Sequence, residues 1–168
     1  SHLELEEIVR QLADITSHTL SATGLAIFIL DPLNQQLSGL TCDLKFGVDR
    51  QVRRFKGSNI AGWVTSQGKP LILNDAISNP LWDSEIHKDA NITVRSIMCA
   101  PLVSHRGIMG AIEVFDKLDG EGFTDHDLEI LIPLASTAAI AVESSRAHKS
   151  MIEEVKSTIK ALAAAIDA

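Results

Sequence analysis

The chain has 168 residues, 45% of them hydrophobic, which is enough for one ordinary domain with a single apolar core and too little for two large domains. Its 15 Lys and Arg residues against 22 Asp and Glu leave a formal net charge of -7, which argues against a nucleic-acid partner. Two cysteines are too few for a disulfide-rich secreted domain, and the longest run without Asp, Glu, Lys, Arg or His, residues 130–142, is shorter than the about 20 residues that span a bilayer. We therefore expect a soluble, cytoplasmic chain with no signal peptide and no membrane partner, whose Ser1 and His2 are either native or left from cloning.

The first predicted elements are a helix and a β-hairpin. The helix carries apolar residues in steps of three and four, at Leu5, Ile8, Leu12 and Ile15. We expect this helix to end at Gly24. Residues 25–30 form a nearly continuous apolar run typical of a buried strand, and residues 31–34 have the composition of a turn. Residues 36–44 alternate as the second strand of a hairpin does.

The middle of the chain is less regular. A basic cluster precedes it, at Arg50, Arg53, Arg54 and Lys56. We interpret the cluster as solvated loop charge, with a phosphate contact as the alternative. Residues 60–64 predict a short helix that ends near Gly68, and residues 71–73 a brief strand. Residues 74–91 are too irregular for a sheet, so we expect a long loop that closes over any bound ligand.

The last third predicts a second hairpin and a long helix. Two apolar runs, residues 94–103 and 108–115, flank Gly107, whose backbone freedom suits a tight turn. Thr124 and Asp127 have the spacing of a capping box, which marks the start of a helix.

That helix would continue to Ala168, with Pro133 bending its beginning. From Asp125 it would be about 66 Å long at 1.5 Å per residue, so its end must project from the domain and find a partner. We expect a parallel homodimer, with the first helix joining the bundle. The predicted interface consists of the two apolar stripes: Leu5, Ile8, Leu12, Ile15, Ile152, Val155, Ile159, Leu162 and Ile166.

Three segments in this order resemble the GAF family of sensory domains. Residues 59–75 (NIAGWVTSQGKPLILND) resemble the family's glycine-centred helix, Gly-Pro turn and following strand. Residues 94–103 (VRSIMCAPLV) resemble its Ser-x-x-x-x-Pro-Leu strand, and residues 107–114 (GIMGAIEV) its next strand. The resemblance implies an α+β fold with a central antiparallel sheet of five or six strands, helices on both faces, and long N- and C-terminal helices.

The resemblance also implies a division of the chain and a role. Residues 1–20 would be a dimerisation helix, residues 21–146 the sensory domain, and residues 147–168 a signalling helix that leads to an output domain absent from this chain. Residues 159–168 (IKALAAAIDA) resemble the lead-in to an HD-GYP cyclic-di-GMP phosphodiesterase domain, although a generic heptad helix has the same pattern. The chain would then be the sensory module of a bacterial signalling protein.

A ligand pocket is implied by the resemblance between the sheet and the irregular middle. An aromatic face, a guanidinium and a carboxylate there could recognise a planar small molecule. The candidate residues are Trp63, Asp75, Trp82, His87, Arg95, Ser96 and Cys99. Each has a structural alternative: Trp63 and Cys99 as core, Arg95 in a surface ion pair, and Trp82 as an anchor of its loop. The sequence names neither the ligand nor a cofactor.

Family members that bind cyclic nucleotides carry an Asn-Lys, Phe, Asp-Glu signature. The matching positions here are Asp116, Lys117, Phe123, Asp127 and Leu128, so the Asn and the Glu are replaced. We therefore expect weak or no binding of cyclic AMP and cyclic GMP. The retained residues have structural alternatives, with Lys117 paired to a carboxylate, Phe123 packed at the helix entry and Asp127 in the capping box.

Catalytic and metal functions have little support in the sequence. There is no HExxH and no Cys-x-x-Cys pattern, and Cys99 lies among apolar strand residues where covalent bilin attachment is not expected. Cys42 and Cys99 do not match the cysteine pattern of the GAF-fold free methionine sulfoxide reductases. We expect a ligand-responsive regulatory domain without enzymatic activity. A purely structural GAF dimerisation module is the first alternative and a reductase the second.

Overall fold

The computed structural model describes residues 2–43, 52–56, 59–83 and 94–167. The helices and strands, in chain order, are α1 His2–Thr19, β1 Ala22–Leu30, β2 Leu37–Asp43, β3 Val52–Lys56, α2 Asn59–Gln67, β4 Leu71–Leu73, β5 Ile97–Ser104, β6 Gly107–Lys117 and α3 Asp125–Asp167. A short 3₁₀ turn, Ala76–Ser78, follows β4. The predicted α+β class is confirmed.

The strands form one antiparallel sheet in the order β3-β2-β1-β6-β5-β4. The strand β1 lies inside the sheet, where it pairs with β2 on one side and with β6 on the other. The predicted hairpins β1–β2 and β5–β6 are both present, and Gly107 adopts a φ of 115° at the second turn. Within the described residues the sheet has six strands, as the resemblance implies.

Successive residues of the central strands point to opposite faces, which divides the core in two. Leu25 and Ile27 of β1 pack on the side of α1 and α3, which we call the α1/α3 face. Ala26 and Phe28 pack on the other side with Ile60 of α2, which we call the α2 face. Helices therefore cover both faces of the sheet, as expected.

Gly110 allows β1 and β6 to approach closely. Its φ of 151° is rare for residues with a side chain, and a Cβ atom there would collide with the carbonyl oxygen of Phe28. A substitution at Gly110 would therefore disturb the centre of the sheet.

The long helix α3 begins with the predicted capping box. The amide of Thr124 donates to Asp127 Oδ2 at 2.8 Å, and the amide of Asp127 donates to Thr124 Oγ1 at 3.2 Å. The helix has 43 residues and continues through Pro133. Its buried residues all lie in its first half: Asp127, Leu131, Ala135, Ala138, Ala139 and Val142. All residues from 146 to 167 are exposed, so the second half projects from the domain.

By length and composition alone, α3 could also cross a membrane. Its first half packs on the sheet, as the core helix of a globular domain does.

Two local predictions differ from the structure, and a third is only partly covered by it. Helix α1 ends at Thr19 and not at Gly24. Ser21 turns the chain with a φ of 53°, and Gly24 lies inside β1 against the ring of Phe115. Most of the basic cluster predicted as a loop belongs to the edge strand β3, because Arg53, Arg54 and Lys56 pair with β2; Arg50 lies outside the described residues. Of the predicted loop 74–91, residues 74–83 contain the 3₁₀ turn, and the rest lies outside the described residues.

Candidate functional site

The candidate ligand site is the α2 face together with the segment that leaves β4. Trp63 of α2 and Trp82, which follows the 3₁₀ turn, are half-buried and pack on the apolar cluster of this face. Cys99 of β5 is a fully buried member of that cluster. The structure thus brings Trp63, Trp82 and Cys99 to one side of the sheet. His87 lies outside the described residues.

Glu113 of β6 is a buried charged residue that the sequence prediction of the site missed. It is fully buried, and it pairs in register with Cys99 of β5. Its neighbours in alternation, Ala111 and Phe115, belong to the cluster of the α2 face, so Glu113 lies on the same side. This alternation within residues 107–114 was the signal in the sequence that could have identified it.

Burial raises the pKa of the Cys99 thiol well above its ordinary value, and the negative charge of Glu113 raises it further. Cys99 is therefore a neutral thiol at physiological pH rather than a thiolate nucleophile. Cys42 is buried on the α1/α3 face, so the sheet separates the two thiols. The geometry gives Cys99 no resolving partner in Cys42, which a reductase would need.

Asp75 lies at the start of the 3₁₀ turn. Its Oδ2 accepts a hydrogen bond from the Ser78 hydroxyl at 2.9 Å, and Asp75 is exposed. This bond is local, so Asp75 organises its own turn and could meet a ligand only at the rim of the α2 face.

Arg95 and Ser96 lead into β5 and are held through their backbones. The amides of Arg95 and Ser96 donate to Asp116 Oδ1 at 3.0 and 2.7 Å. The Arg95 carbonyl accepts the amide of Ala76, and the Ser96 hydroxyl donates to the carbonyl of Asn74. Arg95 is exposed, whereas Ser96 is buried. The backbone hydrogen bonds of these two residues position the start of β5.

Asp116 and Lys117 continue this network towards α3. Asp116 has a φ of 30°, a conformation that Asp and Asn tolerate better than most residues. Lys117 Nζ lies 2.6 Å from Asp127 Oδ2 in the first turn of α3, and both side chains are largely buried. Burial alone would raise the pKa of Asp127, but hydrogen bonds from Lys117 and Thr124 outweigh it and hold the pKa below its ordinary value.

Asn74, at the end of β4, makes a second connection to the same place. Its side-chain amide donates to the carbonyl of Phe123 at 3.0 Å and accepts the Phe123 amide at 2.8 Å. Phe123 is buried on the α1/α3 face. The structural alternatives for Lys117, Phe123 and Asp127 are thus confirmed, and Asn74 is an additional positioning residue.

The two replaced positions of the cyclic-nucleotide signature have other uses here. Both carboxylate oxygens of Asp116 accept backbone amides. Leu128 packs against the apolar cluster of the α1/α3 face, where a Glu would be unfavourable.

The residues predicted for the dimer interface fall into three groups. Leu12 is buried in the core of its own domain, so it is not available to a partner. Leu5 and Ile8 are half-buried against that core, and Ile15 is 42% exposed. The distal stripe of α3 is between 40% and 82% exposed and comprises Ile152, Val155, Ile159, Leu162 and Ile166.

One further feature was not predicted. A groove of about 860 Å³ lies between α3 and the turns that follow β1 and β5, with Pro32, Arg106 and Met151 among its lining. Within the described part of the chain, no group of three or more His, Cys, Asp or Glu residues could hold a metal ion.

Comparison with other proteins agrees with this architecture. The chain is 27% identical over 111 residues to the dual 3′,5′-cyclic-AMP and -GMP phosphodiesterase 11A of Takifugu rubripes, with 66% of this chain aligned. It is 21% identical over 156 residues to the probable 3′,5′-cyclic phosphodiesterase pde-5 of Caenorhabditis elegans, with 87% of this chain aligned. The alignments span 12% and 21% of the length of these relatives, so the chain corresponds to a small part of each.

Solved structures share the fold at low sequence identity. The GAF domain from a phosphoenolpyruvate-protein phosphotransferase of Coxiella burnetii superposes with a TM-score of 0.64 at 17% identity, covering 88% of this chain and 98% of that one. A GAF domain/HD domain protein from Geobacter sulfurreducens gives a TM-score of 0.61 at 16% identity, covering 84% and 94%. A family model for the GAF domain matches residues 2–143, and the chain therefore belongs to the GAF domain family.

Proposed function

We propose that this GAF domain is a ligand-responsive regulatory module of a cytoplasmic signalling protein. A small molecule binds on the α2 face, and its binding changes the arrangement of the terminal helices in a homodimer. Those helices control an output domain, for which we propose a cyclic-di-GMP phosphodiesterase. The chain itself carries no catalytic residue in this proposal.

The observation that carries the proposal is the polar connection between the α2 face and the first turn of α3. Residues 95 and 96 bind Asp116, its neighbour Lys117 binds Asp127, and Asn74 binds Phe123. Asn74, after β4, and residues 95 and 96, before β5, are therefore both connected to the entry of α3. A ligand on the α2 face that displaces either position would act on the helix through these bonds.

The exposed distal stripe supports a second copy of this chain as the partner of α3. Its five apolar side chains recur at heptad spacing on one side of a helix that has no other packing there. Complete burial of one of these side chains would contribute about 1.5–3 kcal/mol to the stability of the dimer. We place Leu5, Ile8 and Ile15 of α1 at the edge of this interface and leave Leu12 out of it.

A structural domain without ligand is the alternative. The α2 face holds large, fully buried side chains such as Phe28, Ile60 and Ile97, which fill space that a ligand would need. In that case the domain would dimerise and space its neighbours without sensing.

Intrinsic fluorescence and native mass spectrometry test the ligand. Trp63 and Trp82 are the two tryptophans of a chain that has no tyrosine, so its fluorescence reports on the α2 face. We expect a co-purifying small molecule by native mass spectrometry, and an emission change when it is removed and restored. Glu113→Gln should weaken its retention, whereas Glu153→Gln, at an exposed residue of α3, should not. A chain that carries no small molecule and does not respond to added metabolites would favour the structural alternative.

Titration with cyclic AMP and cyclic GMP tests the specificity. We expect weak or no change in emission, because Asp116 and Leu128 are committed to other contacts. Submicromolar affinity for either nucleotide would contradict this part of the proposal.

Light scattering tests the dimer. The wild-type chain should have twice the mass of one chain, and Ile159→Asp in the stripe should have the mass of one. Ala161→Asp introduces the same side chain about 200° further around the helix, so it should stay dimeric. A wild-type chain that is monomeric at every concentration would refute the proposed interface.

Insertions near Ser150 in a full-length protein test control by the helix. One added residue turns the distal stripe by about 100°, whereas seven nearly restore its face. We expect the first insertion to alter regulation strongly and the second mildly. Equal, negligible effects would mean that α3 is only a tether.

A further inference from the structure

Residues 143–146 are the stretch of α3 from which the helix leaves the domain, and other elements bind them on several sides. The turn between β5 and β6 supplies two basic side chains to Glu143. Arg106 Nε lies 3.3 Å from Glu143 Oε1, and His105 Nδ1 lies 3.5 Å from Glu143 Oε2. Glu143 is 18% exposed, so its carboxylate sits between the helix and the turn.

The end of β1 and the start of α1 complete these contacts. Arg146 Nη2 donates a hydrogen bond to the carbonyl oxygen of Leu30, the last residue of β1, at 3.0 Å. The Ser145 hydroxyl donates to Glu4 Oε2 of α1 at 2.7 Å, which lowers the pKa of Glu4. We call residues 143–146 and these partners the exit collar.

The exit collar is the last place where the domain holds α3. The helix residues beyond it are exposed, and the groove of about 860 Å³ separates residues 147–154 from the turn that contains Pro32 and Gln35. The direction of the projecting helix is therefore set at residues 143–146 and not by later packing.

The two ends of the packed part of α3 differ in the strength of their attachment. At the start, the side chains of Lys117 and Asp127 are only 16% and 10% exposed. At the exit collar, those of His105 and Arg106 are 79% and 80% exposed, so water competes with their contacts to Glu143. The start of α3 is held firmly, whereas its exit can exchange partners.

The strands that reach the exit collar also line the α2 face. Phe28 of that face is two residues before Leu30 on β1. Glu113 and Asp116 lie on β6, which begins directly after Arg106. A displacement of β1 or β6 at the α2 face would therefore reach the collar through continuous backbone.

We propose that the exit collar is an adjustable joint that sets the direction in which α3 leaves the domain. A small shift of the β5–β6 turn or of the end of β1 changes that direction. Because α3 is one continuous helix, a change of about 10° at Arg146 moves Lys160, about 21 Å further along, by about 4 Å. The regulatory meaning of this joint rests on the proposed function, but the joint itself does not.

Distances measured within the chain by electron–electron double resonance test the joint. Both native cysteines are buried, so labels can be directed to Gln67→Cys on α2 and Lys160→Cys on the projecting helix. An excess of unlabelled chain restricts the signal to distances within one molecule. No ligand is added, so the result does not depend on whether the α2 face binds one.

The decisive variant is Arg106→Gln with Arg146→Gln. Relative to the wild-type chain, we expect its distance distribution to shift by about 4 Å or to broaden by a similar amount. The matched control, Lys149→Gln with Lys156→Gln, changes two exposed cations of the same helix and should superpose on the wild type. Circular dichroism checks that each variant is folded, and if the double variant is not, Arg146→Gln alone replaces it. A distribution equal to that of the wild type would overturn the proposal, whatever the outcome of the ligand experiments.

Discussion

The two faces of the sheet carry different sets of side chains. On the α1/α3 face, Leu25, Ile27 and Met98 meet two helices in a continuous apolar cluster. On the α2 face, the same strands place Cys99 and the ionisable Glu113 among apolar side chains such as Phe28, beside two half-buried tryptophans. A single strand serves both faces because alternate residues point in opposite directions.

The difference predicts on which face a substitution lowers the stability of the domain most. A dense apolar cluster loses stability with each removed methyl group, because the surrounding side chains cannot refill the space. A face that already accommodates a buried carboxylate and half-buried aromatic rings can be altered at lower cost. We therefore expect stability to depend mainly on the α1/α3 face and specificity on the α2 face.

The largest loss of stability should come from truncating a buried side chain on the α1/α3 face. Leu131→Ala removes a fully buried side chain of α3 and should lower the free energy of unfolding by about 2–5 kcal/mol. Ile140→Ala, on the same helix at a residue that is 65% exposed, should change it by less than about 0.5 kcal/mol. Urea unfolding followed by circular dichroism measures both, and equal losses would mean that α3 does not supply the core.

The next effect concerns the connection between the two faces. Lys117→Met leaves the largely buried carboxylate of Asp127 without its cation and should lower the free energy of unfolding by about 1–3 kcal/mol at neutral pH. Lys149→Met, which replaces an exposed lysine of α3, is the matched control and should have almost no effect. A similar loss in both variants would argue against a special role for the Lys117–Asp127 pair.

Acidification should weaken the same connection. The pKa of Asp127 is lower in the folded protein than its ordinary value of 3.8, so the unfolded chain binds the proton more readily. Its contribution to stability is therefore complete above that value and is lost as the pH falls through the folded pKa. Asp127→Asn lacks this contribution, so its urea midpoint should fall less than that of the wild type between pH 5 and about pH 2. Parallel pH profiles would contradict the assignment.

The smallest effect should appear on the α2 face. In a Cys42→Ala background, Glu113→Gln should lower the pKa of the Cys99 thiol, because it removes a neighbouring negative charge. The pKa should still lie above its ordinary value, since burial is the larger cause. The ultraviolet absorbance of the thiolate as a function of pH measures the change, with Glu153→Gln, at an exposed residue of α3, as the control. An unchanged profile in Glu113→Gln would mean that its charge does not reach Cys99.

Local patterns in the sequence predicted the elements whose signals are complete within a few residues. The capping box of Thr124 and Asp127 and the turn at Gly107 are examples, and both are present. The predicted end of α1 at Gly24 was wrong. The chain turns at Ser21, which adopts a positive φ that is more typical of glycine, whereas Gly24 lies in β1, where a side chain would collide with Phe115. The strand β3 was missed because its basic residues resemble loop charge in isolation, and its pairing with β2 is a contact between distant parts of the chain.

The candidate site was predictable to a lesser degree for the same reason. The positions of Trp63, Trp82 and Cys99 followed from resemblance, and the structure brings them to one face. The burial of Glu113 depends on which side of β6 faces α2. The hydrogen bonds between Asn74 and Phe123 join residues 49 positions apart, which a local pattern does not indicate. Periodicity places residues on a face, but it does not state what covers that face.

The two edges of the sheet have a consequence for how copies of this protein meet. An exposed edge strand offers unpaired amides and carbonyls to another sheet, which is a route to aggregation. One edge here is β3, whose sequence carries Arg53, Arg54 and Lys56, and the other is β4, only three residues long and preceded by Pro70. The sequence of the first edge is basic, which disfavours pairing with another copy, and the second edge is too short to pair stably. Contacts from sheet to sheet are thereby discouraged, so concentrated solutions of this domain should remain free of fibrous aggregates.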